Sequence, residues 1–328
     1  MDIRLDEASD LAVAALVGGG FSREDATVIA EQTVGCEMRG ASEGGLSRVL
    51  SIVETYRNLD KHPKPMTVSR ETPVSALIDG GDQLGYLVAD RAISIACDKA
   101  RTAGIGIVGA NNTWYTGMYV HYMEKVARQG LVAMCCGSSS PRVAPHGSSE
   151  GRFGTNPIAF AFPSADEPIV LDFATSDHIV ADAVLASRTG ARLPEGAAWD
   201  EEGRPTTDPV AALAGALAVW GGHRGSGLAI AIQLFGILCG GGAMPADYKD
   251  CGFLAIAFRP DLFMDADEFQ KRVSDYAEKV RASRRIDPKA PILMPFDRSA
   301  EARRRTIASG TIDVDPRVLE ALREMAGR

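Results

Sequence analysis

The chain has 328 residues, of which 45% are hydrophobic and 24% are charged, a composition typical of a globular enzyme. Its formal net charge of −8 argues against a nucleic-acid partner, because phosphate contacts need a clustered basic face. No segment reaches the roughly 20 apolar residues of a bilayer span, and the acidic start MDIRLDEASD lacks a signal-peptide core, so we expect a cytoplasmic protein with no membrane partner.

Residues 1–70 are predicted to form a helical N-terminal part. Apolar residues recur at helical spacing in three segments, 7–18, 22–38 and 47–58. Ser22 is a suitable N-cap, because its hydroxyl can accept a backbone N–H and Asp25 follows three residues later as an approximate capping box. A proline-rich turn then separates these helices from the next part of the chain.

Residues 71–260 alternate strand and helix patterns, which predicts an α/β core. The predicted strands are 74–80, 104–110, 131–137, 157–163, 168–174 and 252–258, and the predicted helices are 85–104, 117–129 and 210–242. The polar, glycine- and proline-rich segment 190–208 predicts a long surface excursion. The apolar run Leu228–Cys239 predicts a buried helix. Residues 261–328 are predicted to be a helical C-terminal part that packs back on the core, with helices at 269–283 and 316–327.

Gly104, Gly106 and Gly109 have the spacing GxGxxG but lack the context of a dinucleotide-binding fingerprint. Such glycines follow a strand and open a helix. Here they lie inside the apolar run IGIVG and precede the polar loop NNTWYTG. We therefore expect a strand that packs closely on a helix. The six cysteines and five histidines form no CxxC, HxH or HExxH pattern, so no metal site is expected.

Five regions in chain order resemble the malate/L-lactate dehydrogenase family. They are MRGASEGGLSR (38–48), similar to RGxxSHGxxR; NNTWYTG (111–117), similar to NSxHFG; VAPHGSSEGRFGTNPIAFAFP (143–163) with VLDFATS (170–176); LPEGAAWDEEGRPTTDP (193–209); and GGHRGSGLAI (221–230), similar to GGYKGYGL. The resemblance implies a non-Rossmann α/β fold with helical N- and C-terminal parts, and a homodimer. It also implies hydride transfer between NAD or NADP and the carbon of a C=O or C=N bond next to the carboxylate of a small substrate.

The same resemblance implies which residues form the site. Residues 1–70 would serve substrate and dimer contacts, and 71–260 would bind the cofactor. The implied cofactor contacts are Ser138, Ser139, Asp172, Phe173, Ala174 and Arg224, with a looser match near 295–298. Arg48 would bind the substrate carboxylate, because a guanidinium fixes the carboxylate plane through two parallel hydrogen bonds. The other implied substrate contacts are Gly44, Trp114, Thr116, Thr155 and Asn156.

The chain departs from the family pattern at both histidines that usually supply a proton. Gly44 occupies the first of these positions and Trp114 the second, while Glu43 stands where the family has serine. Where the family has the sequence RGK, this chain has Val180, Ala181 and Asp182. These departures matter because ketone reduction places negative charge on oxygen, which a proton donor must neutralise.

Four interpretations remain open. First, Glu43 or Tyr115 supplies the proton, since a desolvated carboxyl group can act as an acid near neutrality; His146 is the best spare histidine. Second, the substrate is an imine, whose protonated C=N already carries the charge. Trp114 could then stack on a cationic ring. Third, the scaffold keeps the cofactor but performs another reaction. Fourth, catalysis is lost and the chain is a binding protein.

Overall fold

Strands and helices alternate through the middle of the chain and build a seven-stranded mixed sheet. The computed structural model describes residues 1–59, 61–246 and 248–327. Its strands are β1 (Asp2–Arg4), β2 (Thr67–Glu71), β3 (Ser75–Gln83), β4 (Ile105–Thr113), β5 (Val132–Gly137), β6 (Val143–Ala144), β7 (Ile158–Phe162), β8 (Ile169–Phe173), β9 (Ala198–Trp199), β10 (Pro205–Thr206), β11 (Ala216–Ala218), β12 (Cys251–Phe258) and β13 (Thr311–Asp313). Its helices are α1 (Leu5–Gly18), α2 (Arg23–Glu37), α3 (Leu46–Asn58), α4 (Gly85–Ala103), α5 (Val120–Ala127), α6 (Val180–Thr189), α7 (Pro209–Ala214), α8 (His223–Leu238), α9 (Ala266–Arg281), α10 (Asp297–Ser309) and α11 (Pro316–Met325).

The order of the large sheet is β2-β3-β4-β12-β5-β7-β8, and only the β3–β4 pair is parallel. The late strand β12 lies in the middle, where Ala255 pairs with Val108 on one side and with Cys135 on the other. This order confirms the predicted non-Rossmann α/β fold, because a doubly wound dinucleotide-binding sheet is mostly parallel.

The GxGxxG spacing belongs to the packing of β4 on α4. Gly104 ends α4 in the left-handed conformation, with φ of 89°. A Cβ at Gly106 would lie 2.1 Å from the carbonyl oxygen of Ala96 in α4, so the strand and helix touch backbone to backbone there. The predicted close packing is confirmed, and a polar loop rather than a helix follows β4.

The two ends of the described chain share one packing unit. β1 pairs antiparallel with β13, and α11 packs against α1 and α3. The apolar cluster between them contains Leu11, Leu16, Ile29, Val53 and Leu319. The C-terminal part is therefore divided: α11 joins the N-terminal helices, whereas Ala300 of α10 packs into the main core. The boundaries 1–70, 71–260 and 261–328 stay predictions.

The segment 190–208 is more ordered than predicted. β9 and β10 form a hairpin there, and β11 joins it to β6 in a second, four-stranded sheet. Leu193, Ala197 and Ala198 are buried in a small apolar cluster that they share with β6, α6 and β11. The predicted helix over 210–242 was also wrong, because β11 and two glycines with positive φ, Gly221 and Gly222, separate α7 from α8.

Helix α8 is the largest departure from the predicted burial. The run Leu228–Cys239 was expected to be buried, but Ile230, Leu234 and Leu238 are 49%, 59% and 75% exposed. One face of α8 packs on β5 and β12, and the other presents these apolar side chains outward. Strands β1, β2, β6 and β13 and helix α6 were not predicted, and α10 lies in the part predicted to be helical without bounds of its own. No helix in the described part of the chain is long and apolar enough to cross a membrane.

Candidate active site

A cavity of about 530 Å³ lies between the N-terminal helices and one edge of the large sheet. Its walls come from the 3-10 turn Ser42–Gly44, the loop after β4, the ends of β5 and β8, and the start of α6. It brings together most of the predicted site residues, namely Glu43, Gly44, Arg48, Tyr115, Thr116, Ser138, Ser139, Thr155, Asp172, Phe173 and Ala174. It does not include Trp114, Asn156, His146 or Arg224 among its described lining residues.

Arg48 projects into this cavity from the first turn of α3. Its guanidinium carbon lies 4.3 Å from the centroid of the Tyr115 ring, and its side chain hydrogen-bonds to Tyr86. Burial disfavours its charge, but the surrounding phenol oxygens outweigh that effect and raise the pKa of Arg48. No carboxylate pairs with it among the described residues. A buried guanidinium without an anion is costly, so this one suits an anionic ligand.

Tyr115 forms the wall next to Arg48. Its ring packs edge-on against Tyr86 and Tyr248, with centroid distances of 6.2 and 6.0 Å. Its hydroxyl is buried and has no hydrogen-bond partner in the described part of the chain. Burial raises the pKa of Tyr115, and Arg48 partly offsets that rise. Because an unsatisfied buried hydroxyl costs about 1–3 kcal/mol, a ligand oxygen at this point would be stabilised.

Trp114 points away from the cavity. It is fully buried among the N-terminal helices, and its indole N–H donates to Asp82 Oδ1 over 3.1 Å. The ammonium of Lys61 lies 4.8 Å from its ring centroid. Its proposed stacking on a substrate ring therefore has no geometric support, because protein groups already cover the ring.

The pattern NSxHFG matches residues 112–117 without a gap, and this register places Tyr115 at the histidine position. The structure favours the same register, because Tyr115 lines the cavity and Trp114 does not. An ungapped match therefore favours Tyr115 over the predicted Trp114 at the histidine position.

Gly44 occupies the other histidine position, and the side chain of Met118, from the loop between β4 and α5, lies against it. A Cβ at Gly44 would lie 2.2 Å from Met118 Sδ, so the methionine side chain occupies the space that a larger residue would need. The turn itself is anchored by Glu37, whose carboxylate accepts the Leu46 backbone N–H over 2.7 Å. Gly44 and Met118 are therefore complementary in volume.

Four carboxyl groups line the cavity, those of Glu43, Asp172, Asp177 and Asp182. Burial raises the pKa of Glu43, and the nearby Asp182 raises it further. Burial also raises the pKa of Asp172 to about 6, although its carboxylate accepts the Val120 N–H over 2.7 Å. Asp182 accepts the Ile179 N–H over 2.8 Å and lies 3.5 Å from His178 Nδ1. These carboxyl groups, called the acidic wall below, favour a positively charged ligand in the cavity.

The predicted cofactor segments meet at the ends of β5 and β8. The buried hydroxyl of Ser138 accepts the Gly252 N–H over 3.0 Å. The Ser176 hydroxyl, also in the cavity wall, is buried without a hydrogen-bond partner among the described residues. An unpartnered hydroxyl of this kind fits a polar cofactor group. Arg224 is exposed in the first turn of α8, outside the cavity.

Asn156 is buried behind the cavity lining, where it holds the Ser139 loop against α8. It is fully buried, its amide donates to Ala229 O and Gln233 Oε1 over 2.9 Å each, and its carbonyl accepts the Ser139 N–H over 3.2 Å. Its backbone has φ of 34°. Asn156 therefore positions the loop that carries Ser139, and the structure gives it no direct access to a substrate.

His146 lies in a separate cavity of about 370 Å³, beside Ser148 and Trp199. Its ring centroid is 6.4 Å from that of His223. Histidine is absent from the described lining of the first cavity. The catalytic role predicted for His146 thus gains no support from its position. The described residues also contain no group of three or more histidine, cysteine, aspartate or glutamate side chains that could hold a metal.

Comparison with known proteins matches residues 3–323 to the family model described as malate/L-lactate dehydrogenase. The L-sulfolactate dehydrogenase of Methanothermobacter thermautotrophicus is 32% identical over 91% of this chain and 89% of its own. The Delta(1)-pyrroline-2-carboxylate reductase 1 of Burkholderia ambifaria is 32% identical over 94% of this chain and 93% of its own. The crystal structure of delta1-piperideine-2-carboxylate reductase from Pseudomonas syringae pvar. tomato superposes with a TM-score of 0.86 and 30% identity, covering 99% of both chains.

These matches extend over nearly the whole chain and agree with the fold. They also include both dehydrogenases and cyclic imino-acid reductases. The chain is an oxidoreductase that belongs to the malate/L-lactate dehydrogenase family.

Proposed function

We propose that this chain reduces the C=N or C=O bond next to the carboxylate of a small 2-imino or 2-oxo acid, using NADH or NADPH. The observation that carries the proposal is the Arg48 guanidinium, which lies in the cavity without a carboxylate partner among the described residues. A substrate carboxylate bound there would place its neighbouring carbon in the interior of the cavity, between Tyr115 and the acidic wall.

The cofactor would be held by Ser138, Ser139 and the segment Asp172–Ala174, with the Ser176 hydroxyl as a further contact. When bound, the reduced nicotinamide supplies a hydride to the substrate carbon. The side chains of the cavity then have two tasks. They orient the carboxylate, and they control the proton that the product must gain or keep.

A cyclic imine is the substrate class that the acidic wall favours. Glu43, Asp172 and Asp182 attract a protonated C=N group, and hydride arrival converts that cation into a neutral amine without a separate acid. Trp114 does not contribute to this preference, because it is not among the described lining residues of the cavity. The similarity to pyrroline- and piperideine-2-carboxylate reductases supports the same class.

Ketone reduction is the second candidate, and the similarity to sulfolactate and malate dehydrogenases favours it. Here the oxygen would need a proton, and the two groups able to give one are the Tyr115 hydroxyl and the Glu43 carboxyl. Tyr115 is adjacent to the Arg48 guanidinium, which stabilises a phenolate after the proton leaves. Glu43 holds a proton to higher pH than an exposed glutamate does.

A homodimer is part of this proposal. The outward face of α8 carries Ile230, Leu234 and Leu238, and Phe235 beside them is 38% exposed. Apolar residues this close together on one helix are typical of a subunit contact. Cytoplasmic location stays a prediction from the sequence alone.

The decisive experiment is a cofactor titration followed by a substrate panel. Quenching or enhancement of NADH and NADPH fluorescence measures binding, and nicotinamide absorbance measures turnover. The panel compares Δ1-pyrroline-2-carboxylate and Δ1-piperideine-2-carboxylate with pyruvate and oxaloacetate. Failure to bind either cofactor would refute the enzyme function. Turnover of the ketones alone would refute the preference for an imine. Cofactor binding with no turnover would instead favour a binding protein or another reaction.

A further inference from the structure

Glu37, the last residue of α2, is a buried carboxyl group that reaches both ends of the turn carrying Glu43 and Gly44. Its Oε1 accepts the Leu46 backbone N–H over 2.7 Å, and its Oε2 accepts the Ser42 hydroxyl over 2.8 Å. Glu37 is 8% exposed and is not among the described lining residues of the active-site cavity. One side chain from α2 therefore holds the chain on both sides of two cavity residues.

Helix α3 takes its cap from Glu37 rather than from the residue that precedes the helix. That residue is Gly45, which has no side chain to cap with. Leu46 is the first residue of α3, and its N–H is one of those that a helix leaves unpaired at its start. A carboxylate at this point satisfies the N–H and interacts favourably with the positive end of the helix dipole. Glu37 thus fixes the beginning of α3.

The absence of a side chain at Gly45 makes this contact possible. A Cβ at Gly45 would lie 2.2 Å from Glu37 Oε1 and 2.4 Å from Glu37 Cδ, so a larger residue and the carboxylate cannot share this space. Burial raises the pKa of Glu37, and the hydrogen bonds from Ser42 and Leu46 oppose that rise. The contacts therefore favour the carboxylate over the protonated acid.

The two residues that Glu37 holds are close in sequence to the groups that face the cavity. Arg48 follows Leu46 by two positions in the first turn of α3, and its N–H donates to Gly45 O over 2.9 Å. Glu43 follows Ser42 directly. A shift at either contact would therefore change the direction of the Arg48 guanidinium and the position of the Glu43 carboxyl group.

We propose that Glu37 is a positioning residue of the active site, whose carboxylate sets the direction in which Arg48 meets the substrate carboxylate. Glu37 acts through the turn and α3, without touching the substrate. This inference rests on the proposed function, because it takes Arg48 as the partner of the substrate carboxylate. Loss of the Glu37 carboxylate weakens binding of a carboxylate ligand, whereas cofactor binding, which depends on the ends of β5 and β8, is retained.

The test measures binding of a carboxylate that cannot react. Pyridine-2-carboxylate, an aromatic analogue of a cyclic imino acid, is titrated calorimetrically into the protein loaded with NADH or NADPH. Glu37→Ala should weaken this binding about tenfold, the effect of losing one charge-assisted hydrogen bond, and should leave the Kd of the cofactor unchanged. Glu37→Gln should stay within about threefold of the parent, because its amide can accept the Leu46 N–H and donate to the Ser42 hydroxyl.

Two further variants control for a general loss of stability. Asp265→Ala removes a carboxylate that also caps a helix, at the start of α9, where it accepts the Asp267 and Glu268 N–H groups. It should leave pyridine-2-carboxylate binding unchanged. Gly45→Ala displaces the Glu37 carboxylate instead of removing it and should weaken binding as Glu37→Ala does. The double variant should bind no more weakly than either single variant, because all three break the same contact. Gly45→Ala also keeps the test open if Glu37→Ala does not fold.

Weaker pyridine-2-carboxylate binding in Glu37→Ala, with cofactor binding retained and Glu37→Gln close to the parent, would support the positioning role. Parental affinity in Glu37→Ala or in Gly45→Ala would overturn it, as would an equal loss in Asp265→Ala or an equal loss of cofactor binding. Arg48→Lys separates this inference from the proposed function. If Arg48→Lys also binds the ligand as the parent does, the assignment of Arg48 fails. If Arg48→Lys is weakened and the Glu37 variants are not, the positioning role alone fails.

Discussion

Replacing Asp172 by asparagine should stabilise the protein at neutral and alkaline pH and change its stability little in acid. In the native protein burial raises the pKa of this carboxyl group to about 6, from an ordinary value of 3.8. The folded state therefore holds the proton more tightly than the unfolded chain does. The stabilisation is fully present below pH 3.8, falls as the pH rises toward about 6, and is absent above it.

The size of the effect follows from the shift. Each pKa unit corresponds to about 1.36 kcal/mol, so the change from 3.8 to about 6 corresponds to about 3 kcal/mol. Asp172 is only half-buried, and solvent in the cavity screens part of this penalty, so we expect about 1–2 kcal/mol. Asparagine keeps an oxygen that can accept the Val120 N–H, so this hydrogen bond at the N-terminus of α5 should be retained.

The assay is urea unfolding of parent and variant at one protein concentration, from about pH 4 to about pH 8. The free energy of unfolding of Asp172→Asn should exceed that of the parent at the alkaline end, and the two should converge in acid. Asp275→Asn, an exposed position on α9, should show neither change. A variant that is less stable than the parent at the alkaline end would refute the reasoning, because the carboxylate would then be a favourable native interaction.

Three further predictions concern the cavity. Arg48→Lys should raise KM for every carboxylate substrate by about tenfold or more, since one ammonium cannot replace the planar fork; steady-state kinetics checks this, and an unchanged KM would contradict the assignment. Tyr115→Phe should lower kcat for a ketone by about a hundredfold and for a cyclic imine by much less, and equal losses would exclude Tyr115 as the proton donor. Gly44→His should lower the melting temperature because Met118 blocks the side chain, and adding Met118→Ala should restore it; a single variant as stable as the parent would show that the space is free.

The sequence predicted the structure correctly at positions where the residue's own chemistry decides the local conformation. The Ser22 cap forms as predicted, with the Asp25 N–H donating to the Ser22 hydroxyl over 3.0 Å. Gly104 ends α4 because the left-handed conformation costs glycine little. Ser138, Asp172 and Ala174 meet in one cavity because the ends of β5 and β8 lie at the same edge of the sheet.

The predictions of side-chain burial and of local order were wrong where they depend on residues distant in sequence. Trp114 is adjacent to a cavity residue, but its side chain points to Asp82 and Lys61, which no local pattern indicates. The hairpin within 190–208 is held by β11, whose strand is only three residues long. The burial of α8 was overestimated because a helix with one outward apolar face has the same composition as a helix buried on all sides.

The packing of α11 against α3 has a consequence for how the protein folds. Arg48 lies on α3, and α3 is covered by the residues around Leu319 and Leu322, more than 250 positions later in the chain. During synthesis α1 and α2 can pack on α3 early, whereas the face of α3 that contacts α11 is covered only after nearly all of the described chain has been made. Until then that face is exposed to chaperones and to other nascent chains.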